Sequence, residues 1–339
     1  MEDNGSSRRV TKLLGDDSEI VKSHGGNAST VKTVLNTIGY SVSLVASYLA
    51  GLAGWFSGGT PYSEIATAYQ TLITPTLTLM SYTWGVIFLL EGFFVISQLF
   101  RTYREDPLVR GISYQYLSAC LMQTVWGITF GFEEMVYASI AMSVQLFFLL
   151  WIVKAQWSVV DEQRRIVEQS AMLHAIEKEE AIRTADESAG RHPLLRLPFT
   201  IHAAWILTST PWMICVALVA NDANAKYEMW VSALFEALIF GICIGLLLRD
   251  GSSAPSYSIP LVCAFNFLSI AWELNAPTVS ILAKFEDSAI TLMRNMTASC
   301  GATIVLICFS RAVIMSVLGR CSNKKSDDKD GAEYGACEV

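Results

Sequence analysis

Apolar residues in this chain gather into eight blocks set apart by more polar stretches. Most of the blocks reach the length of about 20 residues that a helix needs to cross a hydrocarbon core of about 30 Å. They run from Leu35 to Trp55, Thr78 to Phe100, Tyr116 to Phe132, Met135 to Trp157, Pro198 to Ala220, Tyr227 to Leu248, Tyr257 to Glu273 and Met296 to Leu318. The third and seventh are the shortest. In lipid, a helix satisfies its own backbone polar groups, so the pattern predicts an all-α fold: a polytopic transmembrane helical bundle of about eight membrane-spanning helices.

Charge placement supports that count. Of the 24 Lys and Arg residues, 20 lie in alternate connections between blocks, counting the two tails and Lys154 at the end of the fourth block. One side holds Arg8, Arg9, Lys12, Lys22 and Lys32, then Arg101, Arg104 and Arg110, then seven from Lys154 to Arg196, then Arg249 and finally Arg320, Lys324, Lys325 and Lys329. The other side holds Lys226, Lys284 and Arg294, and Arg311 lies within the eighth block. Cytoplasmic loops retain excess Lys and Arg, which predicts both termini on the cytoplasmic side, or in the stroma or matrix of an organelle. Adding or removing one span would scramble the bias.

Composition agrees: 52% hydrophobic and 16% charged residues are far from the averages of soluble domains. The formal charge of −7 comes mostly from loops and tails and argues against nucleic-acid binding, which needs a clustered basic face. Six of the eight cysteines fall within spans, with no CxxC pair and no His at zinc spacing, and read as small packing residues. The first 34 residues are polar and carry both charge signs, unlike a cleavable signal, so they read as a cytoplasmic tail. No paired acidic motif, nucleophile elbow or metal cluster is present, and catalysis is not expected.

Between the spans, two stretches keep a helical rhythm. From Trp157 to about Ala189 a Glu-rich segment places Ile166, Gln169, Leu173 and Ile176 at helical spacing, which predicts a cytoplasmic extension of span four. Val279, Ile281, Leu282, Phe285, Ile290 and Leu292 alternate with charges, as in a short interfacial helix. Residues 320–339 read as a disordered tail.

Ionisable groups at bilayer depth are costly unless paired or hydrated. Glu91, His202, Glu236 and Arg311 meet that description. Glu91 and Glu236 each fall about nine residues from a span end and are candidates for a ligand or proton-relay role, or for a protonated carboxyl bonded to a neighbouring helix. His202 lies one turn into span five, where a ring nitrogen is within reach of a tetrapyrrole or metal, or serves as a hydrogen-bonded structural residue. Gly241 and Gly245 form a small-xxx-small pair that predicts close helix packing on span six.

The most specific signals are aromatic and proline positions. Thr74-Pro75-Thr76 precedes span two, which carries Trp84-Gly85-Val86-Ile87-Phe88 and then Gly92. Span three carries Gln123, Trp126 and Phe130. Span five opens Leu194-Leu195-Arg196-Leu197-Pro198-Phe199, continues through Trp205 and ends at Asn221-Asp222. This order resembles the translocator protein or tryptophan-rich sensory protein (TspO/MBR) family over residues 35–224. His202 stands where that family usually has a Trp, and a single proline, Pro75, replaces a pair. Spans six to eight, residues 225–319, have no counterpart in the family's five-helix members.

The resemblance implies a helical bundle with a Trp-lined intrabundle pocket for a small hydrophobic ligand, a tetrapyrrole or sterol, bound or translocated. Aromatic faces stack on a flat ligand while a few polar groups orient it. The residues implied are Trp84, Phe88, Gln123, Trp126, Phe130, Trp205 and Trp212, with Glu91, His202 and Glu236 as polar members. Trp55, Trp157, Trp230 and Trp272 read instead as interfacial anchors. Two other classes remain open: a structural subunit of a larger membrane complex and a secondary transporter. Membrane lipid is the expected surrounding, and a homo-oligomer or a membrane partner is compatible with the pattern.

Overall fold

The computed structural model describes residues 30–49, 51, 53–55, 58, 60–170, 192–248 and 257–333. Among them there is no strand. Eight main helices follow the eight apolar blocks: α1 over 30–49, α2 Leu77–Ser97, α3 Gln115–Gly131, α4 Met135–Ser170, α5 His192–Ala220, α6 Ala225–Leu248, α7 Ser258–Glu273 and α8 Asp287–Glu333. Five of these contain stretches long and apolar enough to cross a membrane by length and composition: Leu77–Ser97, Met135–Glu162, Leu195–Ala220, Ala225–Leu248 and Asp287–Ile314. α7 is a shorter apolar helix.

Two boundaries differ from the sequence expectation, those of α1 and α8, and that of α4 agrees with it. α1 is described over 30–49, Gly51 is still helical, and the helix does not reach Trp55, because Gly54 and Gly58 adopt φ of 60° and 68° that break a right-handed helix. α4 continues past Trp157 to Ser170, as its apolar rhythm predicts; the remainder of that charged segment, 171–191, lies outside the described residues. α8 runs to Glu333, through the stretch whose composition predicts disorder from residue 320, because extending a helix already nucleated costs far less than starting one.

The chain divides into two compact units, Met1–Tyr69 with Met80–Asn221, and Gln70–Leu79 with Asp222–Val339. In the first, α3, α4 and α5 pack most closely, and α5 is the most enclosed span. Phe94 of α2, Tyr116 of α3 and Phe199 of α5 meet edge to face, with ring centroids 4.6 to 5.5 Å apart, a geometry favoured by the ring quadrupoles. The helix Tyr62–Ala68 lies on α3, where the Tyr62 hydroxyl donates to the Gly127 carbonyl. A Cβ at Gly127 would stand 2.8 Å from that hydroxyl, so the glycine is what lets the phenol approach. Burial raises the Tyr62 phenol above its ordinary pKa.

In the second unit α7 and α8 are the closest pair. Gly301 permits this, since a Cβ there would lie 2.8 Å from the Leu268 side chain and 3.1 Å from the Ala264 carbonyl. The predicted packing role of Gly241 and Gly245 is not realised within this chain: both are exposed, with nothing within 4 Å of where a Cβ would be. The segment around Thr74-Pro75-Thr76 is pinned in this unit by polar contacts. Thr76 meets the Ser269 hydroxyl through both its backbone N–H and its own hydroxyl at 3.0 Å, and the Thr278 hydroxyl donates to Gln70. The short helix Val279–Lys284 supplies Lys284, whose ammonium lies 2.5 Å from a carboxylate oxygen of the fully buried Glu228.

Candidate functional site

Four helices of the first unit each contribute one polar side chain to a single buried network. Glu91 of α2, Gln123 of α3, Gln145 of α4 and His202 of α5 are all at most 2% exposed. They form one chain of contacts. Glu91 Oε1 lies 2.6 Å from His202 Nδ1, His202 Nε2 lies 3.1 Å from Gln145 Nε2, and Gln145 Nε2 donates to Gln123 Oε1 at 3.1 Å. Tyr116 adds a long contact, its hydroxyl 3.4 Å from the second Glu91 oxygen.

The geometry dictates the roles. Gln145 Nε2 is a donor, so it points a hydrogen at a lone pair on His202 Nε2, and His202 Nδ1 then donates to a Glu91 carboxylate. Both ring nitrogens are held by protein groups. That leaves His202 no free nitrogen for the tetrapyrrole or metal contact its position suggested, and no group of three His, Cys, Asp or Glu able to hold a metal occurs among the described residues.

Against this polar chain lies a group of aromatic rings. Trp84 stacks on Trp126 at 5.6 Å between centroids and on Phe88 at 5.9 Å, and meets the rings of His202 and Trp205 edge to face at 5.8 and 6.4 Å. Trp126 stacks in turn on Phe130, which neighbours Trp212 at 6.2 Å. Tyr62 caps Trp126 and Phe130 edge-on. The sequence spacing explains the assembly. Trp84, Phe88 and Glu91 share one face of α2, Gln123, Trp126 and Phe130 one face of α3, and His202, Trp205 and Trp212 fall three and seven residues apart on α5, at helical repeats.

Two features of this cluster bear on ligand binding. Trp84 and Phe88 are half-buried, while Trp126 and Trp205 are nearly fully enclosed, so the aromatic group reaches the surface along α2. The indole nitrogens of Trp126 and Trp205, together with Gln123 Nε2 and Gln145 Oε1, are buried with no hydrogen-bond partner. Buried donors are nearly always paired in native proteins, and each unpaired one costs about 1–3 kcal/mol.

Nine of the ten sequence-derived site residues thus come together in one unit. Glu236 does not join them: it belongs to α6 of the second unit, enclosed there within electrostatic reach of Cys263 and Cys300. Gln145, Tyr116 and Tyr62 were missed. Gln145 had a signal, as an amide in the middle of the apolar block Met135 to Trp157, whereas Tyr62 lies outside the blocks and gave none. Of the four Trp residues expected as interfacial anchors, Trp55, Trp230 and Trp272 are between 60% and 76% exposed, and Trp157 is half-buried.

A family model described as TSPO-like protein matches residues 33–298, well over half the chain. The match runs past residue 224, where the five-helix motifs end, through α6 and α7 and into α8. No curated protein matches the chain, and no solved structure does.

Proposed function

The chain belongs to the TSPO-like protein family, and from that premise we propose that this multi-pass membrane protein binds or translocates a flat hydrophobic ligand, a tetrapyrrole or sterol-like molecule, against Trp84, Trp126 and Trp205. Family membership and apolar helices support the membrane setting. The single observation that carries the ligand reading is the pair of enclosed indole N–H donors on Trp126 and Trp205, unpaired and gathered around the half-buried ring of Trp84. A flat ligand bearing a hydrogen-bond acceptor gives those donors a partner and stacks on the indoles. Glu236 lies outside this site and takes no part in it.

The arrangement in the bilayer is part of the same reading: eight crossings, with both termini on the Lys- and Arg-rich cytoplasmic, stromal or matrix side. Binding or transport, not catalysis, is the proposed role. Titration of the purified protein with protoporphyrin IX tests it. Saturable quenching of Trp fluorescence is expected, weakened at least about tenfold in Trp84→Ala and Trp126→Ala, which corresponds to about 1.4 kcal/mol. Absence of saturable quenching in the wild type refutes the pocket, and ligand-dependent flux in proteoliposomes separates a transporter from a binding protein.

A further inference from the structure

We propose that ligand binding at the Trp84 cluster is linked to the loss of one proton from the Glu91–His202 pair, transmitted through Gln145 to Gln123. This inference rests on the ligand reading above and adds its regulation.

The argument starts from the polarity of one hydrogen-bond chain. In the structure, Gln145 turns its amide nitrogen toward both His202 Nε2 and Gln123 Oε1. That arrangement requires an unprotonated Nε2, hence a neutral imidazole donating from Nδ1 to an ionised Glu91. Gln123 is left with its Nε2 donor unpaired. Gln123 and Trp126 are three residues apart on one face of α3, so three unpaired donors, Gln123 Nε2, Trp126 Nε1 and Trp205 Nε1, border the same aromatic group. This form of the chain suits a hydrogen-bond acceptor.

Adding one proton to the pair places a hydrogen on His202 Nε2. Two N–H groups then oppose each other, and the conflict is relieved when the Gln145 amide rotates by half a turn to offer Oε1. Gln145 Oε1 now faces Gln123 as well, so Gln123 rotates in turn and donates from Nε2. The far end of the chain has reversed: Gln123 presents an acceptor where it had presented a donor, and the set of three donors is broken. No helix moves. The proton added at the pair is the only covalent change, and it enters on a nitrogen lone pair.

Neutral side chains surround the Glu91–His202 pair. The groups facing it are Tyr116 and Cys120 from α3 and Tyr40 from α1, whose ordinary titrations lie above about pH 8. α4 faces it with the uncharged Gln145, α5 contributes His202 itself, and α2 contributes Glu91.

The test uses the full chain in lipid nanodiscs with progesterone, a steroid that carries carbonyl acceptors and no titrating group. Affinity is expected to rise with pH, by up to about tenfold per unit. Calorimetry in two buffers of different ionisation enthalpy is expected to register proton release on binding. In Gln123→Leu, which leaves the pair intact and removes the end of the chain, and in His202→Gln, affinity is expected to fall, and the binding that remains is expected to lose its pH dependence. The wild-type proton count needs no variant and stands even where one fails to fold. Progesterone binding with the same affinity at every pH, or with no proton released, overturns the linkage and leaves the pocket standing. No binding at any pH overturns both.

Discussion

Gln145 satisfies two neighbours through one amide nitrogen, and its removal isolates both. Gln145→Leu leaves His202 Nε2 and Gln123 Oε1 enclosed without their donor. Interhelical hydrogen bonds between membrane helices average about 0.6 kcal/mol and reach about 1.7, so a loss on the order of 1–2 kcal/mol is expected, read as a lower midpoint in thermal unfolding of the solubilised protein. An unchanged midpoint would show that the amide carries no structural load. At the edge of the same unit, Tyr69 donates to Glu133 at 2.7 Å, and that bond holds the phenol above its ordinary value of 10.0, with burial and the Glu133 charge adding to it. The folded pKa is raised, so the contribution is present below the ordinary phenol value and disappears as pH climbs through the folded one. Glu133→Gln is expected to lower the Tyr69 midpoint in the phenolate absorbance titration, and a curve identical to the wild type would deny the bond.

Among the elements, the glycines discriminate between faces that the sequence makes look alike. Gly301 sits where α7 and α8 approach, so Gly301→Ala drives a methyl into Leu268 and the Ala264 carbonyl and is expected to cost about 1–3 kcal/mol. Gly241→Ala and Gly245→Ala meet open space and are expected to be neutral or to stabilise α6 by up to about 1 kcal/mol each, since Ala is the better helix former. Thermal midpoints of the three variants settle the ordering. The reverse order would place the close contact on α6, where the small-xxx-small spacing first suggested it. In the second unit, Lys284→Met leaves the enclosed Glu228 carboxylate without its ammonium and is expected to destabilise the protein at neutral pH more than Arg101→Met does. Arg101 pairs with Glu105 fully in solvent, where ion pairs contribute little.

At the scale of the whole molecule, an even number of crossings places both ends on one side, and accessibility of tags fused to each terminus checks the proposal directly; tags on opposite faces would refute it. Much of the architecture was legible in the sequence, because apolar length and the Lys and Arg bias are written in composition and order alone. The polar members Glu91, Gln123 and His202 were legible for a related reason, since a polar group within an apolar block is costly and stands out against it. What the sequence left open was which faces meet. In water, burial marks the inward face of a helix with apolar residues, but lipid is as apolar as a protein core, so the outward and inward faces of a span have similar composition. Exposed Leu234 and Phe309 and enclosed Ile239 and Ile304 are equally greasy. Helix packing therefore decided that Gln145 completes the polar chain, that Glu236 lies in the other unit, and that Gly301 is used where Gly241 and Gly245 are not. The sequence by itself determined the helices and their polar residues; the tertiary structure alone chose their partners, because in a bilayer partner choice depends on shape and hydrogen bonding, and hydropathy does not encode it.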